Sequence, residues 1–142
     1  MIGLDTNIIV RALTNDDPVQ SPAAQGLLRS LSPEEPGYVT LIALVEVVWV
    51  LRQTYGYQRE LLLDVVEKLL GSAELMIEQA DRVRDAVTQA RAVNRELPDV
   101  LIALGSSQAG CRKTYTFDRR ATNIPGMVML PVTEIEPPSG EA

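Results

Sequence analysis

The sequence contains no histidine, which excludes every mechanism built on imidazole as base, nucleophile or ligand. Cys111 is the single cysteine, so no internal disulfide forms and nothing suggests a secreted, cross-linked scaffold. Aromatic residues make up only 4%, with Trp49 and Phe117 the sole members of their kinds. An aliphatic core is therefore expected, and stacking platforms for bases would have to come from the few tyrosines or from arginine planes. Long apolar runs are also missing. The longest, Leu41 to Leu51, is too short for a membrane span and contains Glu46. Asp5 falls where a charged leader followed by an apolar stretch would be needed, so no signal peptide is visible. The expectation is a soluble, cytoplasmic protein with no membrane contact. Basic residues are in deficit: the net charge is -6 and the pI about 4.6. That argues against a broad electrostatic grip on nucleic acid. It leaves room for a local one, because a divalent cation carries positive charge into an acidic site.

What is present suits one folded domain: 142 residues, 46% of them hydrophobic. Met1 to Leu4 reads as a short strand. Asp5, Thr6 and Asn7 are cap-forming residues ahead of a helix carrying Ile8, Ile9, Val10 and Leu13. Asn15 to Pro22 is a polar turn, and Pro22 suits the first turn of a helix reaching about Leu31. Ser32 to Gly37, with two prolines and a glycine, reads as a loop. Thr40 caps a helix from Leu41 to about Tyr55, and a further helix runs from Glu60 to Leu70. Glu74 to Ile77 is a brief strand, Gln79 to Asn94 an amphipathic helix, and Pro98 opens a helix through about Ala109. Strands follow at Arg112 to Phe117 and Met127 to Leu130. Helices interleaved with short strands predict a three-layer α/β/α sandwich on a short, mostly parallel central sheet. One domain is expected over 1–132, with 133–142 a flexible tail.

Four acids interrupt or border apolar runs: Asp5 in "MIGLD", Glu46 in "LIALVEVVWVL", Asp99 in "PDVLIAL" and Asp118 in "TYTFD". An isolated buried carboxylate is costly, so such a group has a partner or binds a cation. Each also has a plainer reading. Asp5 caps its helix or ligates a metal at the strand's carboxyl edge, where open α/β sheets bind ligands. Glu46, on a helix apolar all round, lines a cleft or is ion-paired inside, with Arg11 a partner from across the fold. Asp99 is a first-turn acid favoured by free N–H groups, or a ligand. Glu96 reaches the same site or lies exposed on the loop. Thr6 and Thr116 hydrogen-bond neighbouring carboxylates, or Thr116 simply packs in its strand. Together, two acids at strand ends and two on helices facing that edge form an oxygen ligand set for Mg²⁺ or Mn²⁺. Such ions promote phosphodiester hydrolysis by lowering the pKa of a water and neutralising phosphate charge. With no histidine or lysine in the set, metal-activated water is the nucleophile.

These four motifs, in order and at these separations, resemble the PIN-domain ribonucleases, and within them the VapC-type toxins of toxin–antitoxin systems. "MIGLDTNIIVRAL" is similar to the family's opening, "LVEVVWVL" to its second motif, "PDVLIA" to its third and "TYTFDRRA" to its last. "DDPVQS" and "YGYQRE" are similar to the toxin subgroup. The resemblance runs from Met1 to about Val132. It implies a PIN-like sandwich and Mg²⁺- or Mn²⁺-dependent cleavage of RNA. Asp5, Glu46, Asp99 and Asp118 would be the catalytic and metal residues, with Glu96 a further candidate ligand and Thr6, Asn7 and Thr116 in support. It also implies a homodimer neutralised by a VapB-type antitoxin, which in turn binds operator DNA. Arg11, Arg112, Lys113, Arg119 and Arg120 are candidate phosphate contacts. The pattern departs from the family at one place. Many relatives carry aspartate three residues before the third-motif acid, where this chain has Glu96, followed by Leu97 and Pro98. That departure motivates an alternative, a PIN-fold binding protein with impaired catalysis. An aspartyl-phosphate mechanism at Asp5 is disfavoured, because none of the acidic motifs contains a lysine and no second aspartate follows two residues on.

Overall fold

Parallel strands cannot be joined by tight turns, so a crossover connection, usually helical, has to separate the members of each pair. This chain provides helices in those positions. In the computed structural model, which describes residues 1–133, β1 (Ile2–Gly3) is followed by α1 (Thr6–Thr14) and α2 (Gln20–Ser30). Then come β2 (Gly37–Val39), α3 (Leu41–Gln53), α4 (Arg59–Leu70) and β3 (Leu75–Ile77). The last part holds α5 (Ala80–Val93), α6 (Leu97–Gln108), β4 (Thr114–Thr116), a 3-10 turn (Arg119–Asn123) and β5 (Met127–Met129). The result is an α/β sandwich, as expected. Its strands pair in parallel throughout, as a three-stranded sheet in the order β1-β2-β3 and a two-stranded sheet of β4 and β5. Ile2 stands opposite Gly37, Tyr38 opposite Met76, and Thr114 opposite Met127.

One strand departs from expectation. Pro33, Pro36 and Gly37 read as loop, and Tyr38 and Val39 go unassigned, yet Gly37–Val39 is the central strand of the sheet. Three residues are too few to show an alternating pattern. Gly37 is closely fitted: a Cβ there would meet Leu4 Cδ1 at 2.7 Å and Leu31 Cδ1 at 2.9 Å, so both side chains would have to shift. The segment repeats the plan of the N-terminus, strand, capping residue, helix. Thr40 Oγ1 accepts from the Ala43 N–H at 3.0 Å, as Asp5 caps α1.

The core is aliphatic, as expected. Ile9, Leu44, Leu51, Leu63, Val39 and Val83 are among its fully enclosed side chains, and none of its buried residues is aromatic. On α4, Leu62, Leu63 and Val66 are buried while Leu61 is exposed, so the apolar side chains of this helix mainly pack inward. α3 corrects a second expectation. It is not enclosed on all sides: Ala43, Leu44, Val47, Val48 and Leu51 face the core, whereas Ile42, Glu46 and Trp49 face outward. Among the described residues no helix is long and apolar enough to cross a membrane. The expected tail lies, from residue 134 on, outside the described residues.

Candidate active-site cleft

Two groups of acidic side chains form around helix starts. The first joins the start of α1 to the second turn of α3. Asp5 follows β1, is exposed, and caps α1 by accepting the Thr6 N–H at 2.8 Å. Thr6 is buried, and its hydroxyl donates to Glu46 Oε2 at 2.7 Å. That bond ties the first acidic motif to the second across forty residues. Glu46 itself is exposed, which corrects the expectation of a carboxylate paired inside the fold. Arg11, its proposed partner, is engaged elsewhere: it donates to Asp16 at 3.2 Å and to Gln20 at 3.0 Å. Asn7 and Arg11 line a separate groove between α1 and α2.

The second group surrounds the start of α6. Pro98 opens the helix and Asp99 sits in its first turn. Asp99 is half-buried, and its carboxyl titrates above the ordinary aspartate value of 3.8. Burial is the main cause, and the charges of Asp118 and Glu96 add to it, while Arg120 opposes them. Asp118 caps the 3-10 turn by accepting the Arg120 N–H at 3.0 Å, with the Arg120 guanidinium at 3.6 Å. The Asp118 N–H in turn donates to Thr116 Oγ1 at 3.0 Å, so Thr116 fixes the backbone that carries the acid.

Glu96 occupies the N-cap position of α6 but makes no side-chain cap. Its Oε1 instead accepts from Arg52 Nη2 at 3.1 Å and from Arg59 Nε and Nη2 at 3.1 and 2.9 Å. Three bonds between a carboxylate and two cationic guanidiniums outweigh one cap to an uncharged backbone N–H. Glu96 is thus committed to two guanidiniums rather than exposed on a loop.

A cleft of about 360 Å³ brings these parts together. Its carboxylates are Glu96, Asp99 and Asp118; its cations are Arg52, Arg59, Arg95 and Arg120; Trp49 and Gln53 of α3 complete one wall. Glu46 lies three residues before Trp49 and seven before Gln53, on the same helical face, so it continues that wall by one turn. The five predicted acids therefore form two neighbouring sets: Asp5 with Glu46 through Thr6, and Glu96, Asp99 and Asp118 in the cleft. Among the described residues no three acidic or cysteine side chains converge on a single coordination position as they stand. Asp5, Glu46 and Asp118 are each turned toward an N–H or O–H donor instead. As a donor set, carboxylate oxygens alone suit a hard divalent cation.

Of the five predicted phosphate contacts, only Arg120 lines this cleft. Arg112 and Arg119 are exposed elsewhere on the surface, and the Lys113 ammonium lies over the Tyr115 ring, 4.9 Å from its centroid. Trp49, Arg52, Arg59 and Arg95 were missed as site residues. Trp49 was within reach of the sequence, being three residues from Glu46 on a helix. The three arginines were not, because only the packing of α3, α4, α5 and α6 brings them together.

The PIN domain model matches residues 2–127, and the chain belongs to that family. No curated protein matches it. The PIN domain is generally a nuclease fold, its members commonly metal-dependent and acting on RNA or other nucleic acid.

Proposed function

We propose that this protein is a divalent-metal-dependent endoribonuclease of the VapC toxin type, acting in one domain that spans 1–132. The observation that carries the reading is the cleft at the start of α6, where Asp99 sits among Asp118 and Glu96 beside four guanidiniums. Asp5, Glu46, Asp99 and Asp118 would hold Mg²⁺ or Mn²⁺. Bound there, such an ion supplies Lewis acidity, acidifying water and neutralising phosphate charge. The chain's own residues do the rest. Thr6 orients Glu46 through its hydroxyl, Thr116 fixes the backbone at Asp118, and the guanidiniums of the cleft offer donors to phosphate oxygens. Glu96 acts through Arg52 and Arg59, holding them in place, rather than as a metal ligand. Toxin identity brings with it a homodimer, a VapB-type antitoxin and, through the antitoxin, operator DNA.

The test is cleavage of RNA with Mg²⁺ or Mn²⁺ by the wild type, Asp5→Asn and Asp99→Asn. The wild type is expected to cleave, and each variant to lose at least about two orders of magnitude. Equal cleavage by all three would mark a contaminating nuclease and end this reading.

A second reading, a PIN-fold binding protein with impaired catalysis, is favoured by one observation: Glu96 is turned to Arg52 and Arg59, away from a metal-ligand role. Calorimetric titration with Mn²⁺ separates the two. Uptake that disappears in Glu46→Gln supports the nuclease, and no uptake by the wild type supports the binding protein.

A further inference from the structure

The largest apolar side chain of this protein is on the outside. Trp49, the only tryptophan, is 61% exposed, although α3 buries alanine, valine and leucine on its other face. Burial of an indole is among the largest single hydrophobic gains a chain has available, so packing does not account for its position. Trp49 lies on the wall of the acidic cleft, three residues from Glu46, and lines it together with Asp99 and Asp118. In the same cleft four guanidiniums face three carboxylates, a local positive excess in a chain whose net charge is -6.

We propose that Trp49 is a stacking platform for an unpaired base of single-stranded RNA, with the adjoining phosphates held by Arg52, Arg59, Arg95 and Arg120. The inference rests on the reading of this cleft as the RNA-cleaving site, and it names the part of the substrate that the cleft holds. An exposed indole beside guanidiniums is the pairing that single-stranded nucleic acid requires, because every base presents a π-face and every linkage a negative charge. A duplex hides its base faces and has nothing to offer an indole. Of the five N–H groups each guanidinium carries, Arg52 spends two and Arg59 three within the fold; an apolar protein surface would leave the rest facing carbon, so the charge pattern favours RNA over a protein partner. The cleft, about 360 Å³, is at the small end of ligand pockets and suits one nucleotide rather than a helix. Its place one turn from Glu46 sets the stacked base next to the proposed site of cleavage.

The single tryptophan makes the test direct. Wild-type protein in EDTA is titrated with a short mixed-sequence RNA, single-stranded or annealed to its complement, while tryptophan emission is followed. Saturable quenching by the single strand and little by the duplex are expected. Anisotropy of a labelled single strand should show binding about tenfold weaker in Trp49→Ala, with most affinity kept in Trp49→Phe. Circular dichroism checks that both variants fold. Equal affinity of wild type and Trp49→Ala, or equal quenching by the duplex, would overturn the proposal. So would a Trp49 already shielded in the RNA-free protein, with Trp49→Ala converting a dimer to a monomer; that result would make this face a protein interface. Cleavage with Mn²⁺ is assayed in parallel. Cleavage by the wild type with unchanged binding by Trp49→Ala removes the platform and leaves the nuclease. Weakened binding by Trp49→Ala without cleavage by any form removes the nuclease and leaves the platform.

Discussion

Asp99 is a residue on which stability and activity pull in opposite directions. Burial and the charges of Asp118 and Glu96 raise its pKa, so the folded protein holds its proton more tightly than the unfolded chain does. The sign follows: the fold is least burdened below the ordinary value of 3.8, and stability is lost as pH rises through the higher folded value. In metal-free protein, Asp99→Asn should therefore raise the melting temperature at pH 7 by about 2 °C, a modest figure because the group is partly solvated. The gap should close as pH falls toward 4. Thermal melts across that range check it, and a variant less stable than wild type at pH 7 would contradict the assigned strain. The same substitution is expected to abolish cleavage, an instance of a functional site held at the expense of stability.

At the scale of elements, the recurring device is a parallel strand followed at once by a capping residue and a helix. Asp5 caps α1 and Thr40 caps α3. Glu78, directly after β3, accepts the Leu41 N–H at 2.8 Å and so fastens the end of that strand to α3. These helix starts gather at the carboxyl edge of the sheet, where open parallel sheets bind their ligands. The middle strand decides whether the edge exists. Gly37→Ala would force a methyl group into Leu4 and Leu31, both buried, and is expected to cost about 1–3 kcal/mol by overpacking. Urea denaturation measures that loss. An unchanged midpoint would mean that β2 shifts freely and does not set the register. The site's legibility stopped at this same scale. "MIGLD" and "TYTFD" announce acids at strand ends. "GYVT" hides a strand, because its three residues are shielded by prolines and begin with glycine.

For the whole molecule, the proposed metal site joins segments as far apart as Asp5 and Asp118. An ion held between them binds the folded chain only, and its binding energy adds to folding. At a Mn²⁺ concentration a hundredfold above its dissociation constant the gain is about 2.7 kcal/mol. For a chain of this length that is a rise in melting temperature of roughly 6–10 °C. Glu46→Gln should remove most of the rise. An equal shift in both proteins would place Mn²⁺ elsewhere on an acidic surface.

The sequence by itself determined the aliphatic core, the order of helices and most strands, and four acids, two of them just after strands and two on helices. Those features are local: capping chemistry, periodicity and the interruption of an apolar run by a charge are all legible within a few residues. Tertiary structure alone decided the rest. It turned Glu46 outward, because α3 buries one face and not the whole of its circumference. It committed Glu96 to Arg52 and Arg59, and it grouped four arginines and the lone tryptophan around Asp99. Sequence separation carries no information about such meetings, since residues from four helices become neighbours only once their apolar faces have packed together.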